Sequence, residues 1–286
     1  MNPDTVRCER LTSPPAAGAA DLPAGADRGA AAAPALVVAR LTLARPDSRN
    51  ALGPAEWRLL DQHLQAIAAD RSVRALILTG EGEAFSSGGD LRTMPERLQQ
   101  PPAERSERLR RDAQVIHQLY HLDCPVIAAI PGACMGAGLG LALACDLRLC
   151  ARGARLGASF HRVGLGPDFG VTWLLPRVVG PARAAELLLT AEPVDAERAE
   201  ALGLVHRVLP VEELAQAALT LAFQLAAGPP LAQAFTKRGL RRALTADLDD
   251  LLQWEALSQA VLSRSEDAAE GVAAFLARRP PRFTGR

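Results

Sequence analysis

The sequence has no excess of one charge and no long apolar run. Lys and Arg together number 32, and so do Asp and Glu, so the formal net charge is zero. A balanced charge gives no support to a nucleic acid or an anionic membrane as a partner. No apolar stretch approaches the roughly 20 residues that a membrane-spanning helix needs. These absences favour a small molecule as the ligand.

Cysteines are few, and no two of them form a C-x-x-C pair. The five are Cys8, Cys124, Cys134, Cys145 and Cys150. An odd number, mostly within apolar runs, favours reduced, packed thiols in a cytoplasm over disulfides or a zinc site. His117 and His121 lie four residues apart, but no third metal ligand accompanies them, so we expect no metal. Neither a G-x-S-x-G elbow nor a phosphate-binding loop occurs, which leaves serine hydrolases and nucleotide triphosphatases without support.

What is present suits an α/β chain. With 286 residues, 49% of them hydrophobic, the chain can bury one large core with a small helical appendage. We expect three parts: residues 1–34, with a strand and an Ala/Pro/Gly-rich segment; a core at 35–225; and helices at 226–286. Residues 6–11 and 36–43 are strand-like. They either pair as a hairpin around a partly disordered loop, or the first belongs to a disordered tail.

Helices and strands alternate after the N-terminal segment. Trp57, Leu60, Leu64 and Ile67 are spaced along one helical face. Residues 73–79 form a mostly apolar run that is typical of a buried parallel strand. Such alternation predicts right-handed crossovers and a parallel sheet, with sites at the carboxyl ends of the strands.

Two glycine turns follow predicted strands. One is Ser86-Ser87-Gly88-Gly89, and the other runs from Gly132 to Gly140 before a helix. The second turn does not fit the dinucleotide fingerprint, because the sixth place from Gly136 is leucine. The turns could serve only for tight packing or as surface turns. Together they could offer the N–H groups of Gly89 and Ala137 to one developing negative oxygen.

Several segments, in order, resemble the crotonase, or enoyl-CoA hydratase/isomerase, superfamily. They are Phe85-Ser-Ser-Gly-Gly-Asp-Leu91, the turn and helix from Gly132 to Asp146, Val163-Gly-Leu-Gly-Pro-Asp-Phe-Gly170, Leu175-Pro-Arg-Val-Val-Gly180, Ala201-Leu-Gly-Leu-Val205 and the ending from Ser265 to Arg286. The resemblance implies an α/β crotonase fold of repeated ββα units in two near-perpendicular sheets, with a C-terminal helical trimerisation region. It also implies a homotrimer or a dimer of trimers that acts on acyl-CoA thioesters.

The resemblance also assigns roles to residues. It places the oxyanion donors at Gly89 and Ala137, in agreement with the turns. Coenzyme A arrives as part of the substrate, with no separate cofactor. The residues implied to bind the substrate are Arg49, Ala51, Ser87, Asp90, Leu91, Arg92 and Lys237, with Phe160 in the pocket wall. Arg49 and Lys237 suit phosphates by charge, although exposed cations are more often only solvated.

Departures from the family pattern change the expected chemistry. The two glutamates that hydratases of the family use would fall at Gly140 and Phe160, and neither is present. Water addition by that mechanism therefore lacks its acid and base. Asp168 remains, in a turn similar to that of the epoxyphenylacetyl-CoA isomerase-like branch. An aspartate in a turn is ordinarily a cap or turn former. Here an apolar wall of Phe160 and Phe169 would strengthen it as a proton acceptor.

We therefore expect an acyl-CoA isomerase that moves a proton with Asp168, by double-bond or epoxide-to-oxepin isomerisation. The alternatives are a hydratase-like lyase and a non-catalytic acyl-CoA-binding homologue. A strand is predicted over residues 204–209. Helices are predicted over residues 182–189, 211–225, 231–243 and 248–263, and their apolar faces predict oligomerisation. The charged stretch from Arg92 to Gln118 gives no clear signal, so the shape of the acyl pocket is not predicted.

Overall fold

A computed structural model describes residues 5–12 and 36–286. The strands are β1 (Val6–Leu11), β2 (Val37–Leu43), β3 (Val73–Gly80), β4 (Ala84–Ser86), β5 (Val126–Ile130), β6 (Ala133–Met135), β7 (Leu147–Ala151), β8 (Arg155–Gly157), β9 (Val194–Asp195) and β10 (Arg207–Leu209). The helices are α1 (Pro54–Ala69), α2 (Met94–Leu98), α3 (Pro102–Asp112), α4 (Gln114–His121), α5 (Ala137–Ala144), α6 (Val171–Val179), α7 (Pro181–Thr190), α8 (Ala196–Ala201), α9 (Val211–Ala226), α10 (Pro230–Arg242), α11 (Leu248–Leu262) and α12 (Glu266–Leu276).

The N-terminal hairpin is confirmed. β1 pairs antiparallel with β2, from Val6 opposite Leu43 to Leu11 opposite Val38. Most of the Ala/Pro/Gly-rich segment between them lies outside the described residues. A strand this early in the chain therefore forms one edge of the main sheet.

The ten strands of the described residues form two separate sheets. The larger sheet has the order β1-β2-β3-β5-β7-β10, and every pairing except β1 with β2 is parallel. The smaller sheet has the order β4-β6-β8-β9. The pairs β3–β4, β5–β6 and β7–β8 each place their first strand in the larger sheet and their second in the smaller one, and a helical segment follows each pair. This is the predicted repeat of ββα units, and the α/β crotonase fold is confirmed.

The larger sheet is buried on both faces, as a parallel sheet requires. On one face, Leu41, Leu76 and Leu78 pack with the predicted stripe of α1, whose Trp57, Leu60, Leu64 and Ile67 are all buried. On the other face, α9 lies across alternating residues such as Val38, Ile77 and Ile127, using Leu214, Ala218, Ala222 and Phe223. Burying each such large side chain contributes about 1.5–3 kcal/mol. The sheet therefore gives a rigid frame for the loops at its strand ends.

The C-terminal helices begin and end within one residue of their predicted limits. The buried Lys237 on α10 donates hydrogen bonds to the carbonyl of Cys124 (2.7 Å) and to Oδ2 of Asp146 (2.5 Å), and so ties α10 to the core. Beyond this contact, many apolar side chains of these helices are exposed; they include Leu240, Leu248, Leu257, Val272, Phe275 and Leu276. These helices therefore carry an apolar surface that the other described residues do not cover.

Two details differ from the expected elements. The stretch from Gly132 to Gly140 is not one turn, because β6 lies between Gly132 and Gly136 and α5 begins at Ala137. The predicted strand over 204–209 is shorter, because residues 204 and 205 leave α8 in turns and pairing starts at Arg207. Both differences occur where the chain passes between layers, and local propensity does not set the pairing there.

None of the five cysteines is paired in the structure, and Cys134, Cys145 and Cys150 are buried. Burial raises the pKa of Cys145 to about 12. Such thiols stay protonated and unreactive at neutral pH. Over the described ranges, no helix combines the length and the apolar character that crossing a membrane requires.

Candidate active site

The first glycine turn follows β4 and is held by backbone hydrogen bonds. Leu52 N–H donates to the Gly88 carbonyl (2.8 Å), and Asp90 N–H donates to the Leu52 carbonyl (3.0 Å). The Ser86 hydroxyl donates to the Asn50 carbonyl (2.8 Å) and accepts from Gly88 N–H (3.1 Å). These bonds occupy the N–H groups on both sides of Gly89. Among the described residues, none accepts a hydrogen bond from the N–H of Gly89 itself.

The second turn connects β6 to α5. Gly136 has φ of 52°, and its N–H donates to the Gly157 carbonyl (2.9 Å). Ala137 is the first residue of α5, so its N–H has no partner within the helix. No described residue outside the helix accepts from it either. An N–H group at this end of a helix favours a negative ligand atom.

The two turns touch each other. A Cβ atom on Gly88 would lie 2.8 Å from the Met135 carbonyl oxygen and 3.5 Å from Ala137 N. Gly88 also has φ of 89°, which favours glycine. Only a residue without a side chain lets the backbones approach this closely. The contact places the Gly89 and Ala137 amides at one cavity.

That cavity has a volume of about 390 Å³. Six of the predicted site residues line it: Ser87, Gly89, Leu91, Ala137, Phe160 and Asp168. Its other apolar walls include Leu52, Trp57, Met94, Leu109 and Phe169. The volume and the apolar walls are typical of a small-molecule site.

Asp168 lies in a tight turn at this cavity. Phe169 has φ of 47° and Gly170 of 73°, and the N–H of Val171 donates to the Asp168 carbonyl (3.1 Å). A left-handed conformation at a bulky residue such as Phe169 is strained. Its ring stacks on Trp57 at 4.2 Å between centroids, which helps to hold the turn. The strained turn thus holds Asp168 at the cavity wall.

The Asp168 carboxyl group is poorly solvated. Its Oδ1 is buried and has no hydrogen-bond partner in the part of the chain that the structure describes. Burial raises the pKa of Asp168 to about 6, although a hydrogen bond from its own backbone and the positive charge of Arg105 act in the opposite direction. A carboxyl group with this pKa can accept a proton and return it near neutral pH.

Gly140 explains one departure from the family pattern. A Cβ atom there would lie 2.6 Å from the Phe169 carbonyl oxygen and 3.2 Å from Phe169 Cβ. The turn that carries Asp168 therefore packs directly on α5, where the resemblance places a glutamate. A glutamate at position 140 cannot fit unless that turn moves.

Phe160 occupies the place of the second family glutamate. It lies in a 3-10 helix, Ser159–Val163, and its ring is buried beside Gly136. Its position there makes the cavity wall apolar at a point where a hydratase of the family has a carboxylate.

Three other predicted binding residues, Arg49, Ala51 and Asp90, lie beside the cavity without lining it. The side chain of Arg49 is exposed, and its backbone carbonyl accepts a hydrogen bond from Ser87 N–H (2.8 Å). The Ala51 carbonyl accepts from Nη1 of Arg45 (2.9 Å). The buried Asp90 carboxylate accepts from Arg92 Nε (3.0 Å) and Arg45 Nη2 (3.2 Å), and chiefly the hydrogen bonds from Arg92 lower its pKa to about 2. These groups shape the loop around Gly89.

Lys237 and Arg92 also differ from the expected arrangement. The structure does not bring Lys237 to the cavity of its own chain, because its ammonium group is buried against Asp146 on the far side of α5. Arg92 is exposed and pairs with Asp90 at 2.9 Å. A lysine in a C-terminal helix can bind a phosphate or bury an ion pair, and its sequence neighbours do not distinguish the two.

The cavity has a part that sequence reasoning missed. It is lined by Met94 and Arg97 of α2 and by Arg105, Arg108, Leu109 and Asp112 of α3. One signal was available: Arg105, Arg108 and Asp112 are spaced by three and four residues, which places them on one face of a helix. The sequence shows that this stretch is highly charged, but it does not show against which surface α3 packs.

The chain matches the model of the enoyl-CoA hydratase/isomerase family over residues 35–286. It is 38% identical over 250 residues to the 1,2-epoxyphenylacetyl-CoA isomerase of Escherichia coli, covering 87% of this chain and 95% of that protein. It is 35% identical to the 2,3-dehydroadipyl-CoA hydratase of the same organism, covering 86% and 94%. A crystal structure of an enoyl-CoA hydratase from Bacillus anthracis superposes with a TM-score of 0.82 at 33% identity, covering 87% of this chain and 96% of that one. With these matches to its sequence and its fold, the chain belongs to the enoyl-CoA hydratase/isomerase family, whose members act on acyl-CoA thioesters.

Proposed function

We propose that the protein is an acyl-CoA isomerase that moves one proton with Asp168. A single observation supports this most strongly: a poorly solvated carboxyl group and two unpartnered backbone amides line the same cavity. The amides can hold the oxygen of a thioester, and the carboxylate can act on a carbon of the same substrate. The coenzyme A enters with the substrate, and no other cofactor takes part in the reaction.

In the first step, the thioester oxygen accepts hydrogen bonds from Gly89 N–H and Ala137 N–H. Asp168 removes a proton from a carbon next to the unsaturated system, and the electron pair moves through the conjugated bonds onto that oxygen. The resulting dienolate is stabilised by the two fixed donors and by the positive end of α5. Removing one such donor in an oxyanion hole costs roughly 10²–10³ in rate.

In the second step, the neutral Asp168 returns a proton to a different carbon. Because this residue is only partly buried, the carboxyl proton exchanges with solvent in a share of the turnovers. The electron pair leaves the oxygen, the thioester carbonyl forms again, and the double bond has moved. No atom is gained or lost overall, so one carboxyl group suffices for the cycle. A pKa near 6 leaves Asp168 mostly ionised at pH 7 and still able to hold a proton transiently.

Hydration is less well supported by the site. Gly140 and Phe160 remove both family glutamates, and the packing of Phe169 on Gly140 leaves no room to restore the first. Without that pair, addition of water by the family mechanism lacks its acid and base. Asp112 is the other carboxyl group that lines the cavity, and a variant at this position tests whether it takes part.

The same proposal extends to the assembly. The exposed leucines and Phe275 of α10 to α12 support a homotrimer or a dimer of trimers formed through these helices. The reduced, buried cysteines support a cytoplasmic location. Analytical ultracentrifugation of the full chain tests the assembly; a monomer at micromolar concentration contradicts it.

Deuterium uptake from heavy water into unsaturated acyl-CoA thioesters tests the chemistry. The wild type should incorporate deuterium into the acyl chain, and Asp168→Asn should lower the rate at least about a thousandfold while thioester binding remains. Asp112→Asn is the matched control, since it removes a carboxylate from the same cavity and should retain most of the exchange.

Three outcomes contradict the proposal. Binding by the wild type with neither deuterium uptake nor movement of a double bond, across acyl chains of different length and unsaturation, would indicate a binding protein. Loss of enoyl absorbance without exchange at a second carbon would indicate hydration. If Asp112→Asn is as damaging as Asp168→Asn, both carboxylates are needed, and isomerisation by Asp168 alone is wrong.

A further inference from the structure

Three arginines line the cavity from helices α2 and α3, apart in sequence from the two glycine turns. Arg97 of α2 and Arg105 and Arg108 of α3, here called the arginine cluster, all line it. Arg105 links the two helices, because its Nη1 donates to the Arg97 carbonyl (3.3 Å) and its Nη2 lies 3.7 Å from Met94 Sδ. These contacts hold the cluster in place while leaving its charge uncompensated.

No ion pair within 4.0 Å involves these three arginines, taking residues 5–12 and 36–286 together. The Nε and Nη2 atoms of Arg97 are buried and have no hydrogen-bond partner there. By contrast Arg110, on the exposed face of α3, pairs with Glu107 at 2.7 Å. Buried guanidinium groups are normally paired, because leaving one unpaired costs its desolvation. The cluster therefore has the character of a site whose anion comes with the ligand.

The charges that face the cluster do not balance it. Asp112 is the acidic residue that interacts electrostatically with both Arg97 and Arg108. Arg97 also interacts with Asp90, which is already paired with Arg45 and Arg92. Burial lowers the pKa of Arg97, and the positive charges of Arg108 and Arg105 lower it further. Near Arg105 the acidic group is Asp168, the proposed proton carrier. Three cations therefore share the cavity with two carboxylates that form no ion pair with them.

We propose that the arginine cluster binds a carboxylate at the far end of the acyl group, so that the protein prefers acyl-CoA thioesters whose acyl chain ends in a carboxylate. This inference rests on the proposed function for one point only, that the thioester carbonyl lies at Gly89 and Ala137. A phosphate of coenzyme A has the same chemistry as a ligand for arginine. The acyl end is the better source, because the cluster lines the same cavity as Gly89 and Ala137, whereas the pantetheine arm separates the phosphates of coenzyme A from the thioester carbonyl.

Binding of saturated thioesters tests the inference without any turnover. Isothermal titration would compare hexanoyl-CoA with adipoyl-CoA, and likewise butyryl-CoA with succinyl-CoA and octanoyl-CoA with suberoyl-CoA. At the chain length that reaches the cluster, the carboxylate-ended thioester should bind about 10 to 100 times more tightly, the range for charge-assisted hydrogen bonds. Because no reaction occurs, this result is independent of whether Asp168 catalyses isomerisation.

Variants assign the preference to the cluster. Arg97→Met and Arg108→Met should each abolish most of the preference and leave hexanoyl-CoA binding unchanged, which also shows that the variants fold. Arg97→Lys should keep part of it, because the charge remains without the bidentate geometry. Arg110→Met, on the same helix but outside the cavity, should leave the preference unchanged.

Other outcomes overturn the inference. If the carboxylate-ended thioester binds no more tightly at any chain length, no acyl carboxylate is recognised. The same thioesters made on 3′-dephospho-coenzyme A test the other source of the anion. If Arg97→Met weakens both members of a pair equally, and only when the 3′-phosphate is present, the cluster binds coenzyme A and the acyl assignment is wrong.

Discussion

The two sides of the cavity are built differently. On the amide side, the Ser86–Asp90 turn and the Met135–Ala137 turn are fixed by backbone hydrogen bonds and by glycines that permit close approach. On the arginine side, α2 and α3 present long, charged side chains from short helices that contain no buried residue. The comparison suggests that the amide side sets the reaction and the arginine side sets the choice of acyl group.

Among changes that only reshape the backbone around the cavity, the largest effect should follow a change at the contact between the two turns. In Gly88→Ala, the new methyl group meets the Met135 carbonyl oxygen at 2.8 Å, in a backbone conformation that favours glycine. The turns must separate, and the two amides no longer converge on one oxygen. We expect deuterium exchange to fall roughly 10²–10³-fold, about 3–4 kcal/mol in transition-state stabilisation.

Gly153→Ala is the matched control for this variant. Gly153 also lies in a turn, but a Cβ atom there has no neighbour within 4 Å. Its exchange rate should stay within about twofold of the wild type, as expected for a surface change. Equal losses in the two variants would show that the amide side is not the more sensitive one.

The next largest effect is on stability, and it concerns the packing contact between the Asp168 turn and α5. Gly140→Ala places a methyl group 2.6 Å from the Phe169 carbonyl oxygen, so the turn must shift or the helix must move. We expect the free energy of unfolding to fall by about 3 kcal/mol, the upper end for overpacking a core. Urea denaturation followed by circular dichroism measures it, and a loss below about 0.5 kcal/mol would contradict the tight packing described here.

A smaller effect, of opposite sign, should follow Asp168→Asn. The folded pKa of about 6 lies above the ordinary value of 3.8, so the folded state disfavours the ionised form. Above pH 6, the ionised Asp168 therefore lowers the free energy of unfolding of the wild type. This loss disappears as the pH falls towards 4, where the carboxyl group is protonated in the folded state. We expect the variant to be more stable by about 2 kcal/mol at pH 7, discounted from the roughly 3 kcal/mol of the full shift because the group is partly exposed.

Denaturation of both proteins at pH 7.5 and pH 4 measures that difference. The gain of Asp168→Asn should be present at the higher pH and nearly absent at the lower one. A variant that is less stable than the wild type at both pH values would show that Asp168 holds the turn together instead of straining it.

The smallest effect should come from the exposed face of the arginine side. Arg110→Met removes the pair with Glu107, which lies on the surface of α3. Exposed ion pairs contribute about 0–1 kcal/mol, so the free energy of unfolding should change by less than about 0.5 kcal/mol. A larger loss in the same denaturation experiment would indicate that α3 depends on its surface charges for its position.

The sequence predicts the amide side well because glycines and apolar runs carry that information. The spacing of Trp57, Leu60 and Leu64 predicts the face of α1, and all three residues are buried. The two glycine turns place Gly89 and Ala137 at one cavity. These features depend on backbone conformation and on local periodicity, both of which are visible in a single sequence.

The arginine side and the ion pairs could not be predicted in the same way. The same residue type pairs on the surface at Arg110 and faces the cavity at Arg105, and only the packing of α3 distinguishes the two. The resemblance assigns Lys237 to coenzyme A, and its charge suits a phosphate, but within this chain its ammonium group forms a buried pair with Asp146, 91 residues away. Contacts between distant parts of the chain decide the partner of a long charged side chain.

The pH dependence of deuterium uptake tests the central claim most directly, that Asp168 carries the proton in the cavity that the Gly89 and Ala137 amides also line. If it does, kcat/KM for exchange should be constant above about pH 7 and fall about tenfold per pH unit below about pH 6, because only the ionised carboxylate can accept the proton. Asp168→Asn should have no measurable exchange at any pH. A wild-type rate that does not change between pH 5 and pH 8, or an Asn variant that retains the rate, would contradict the account.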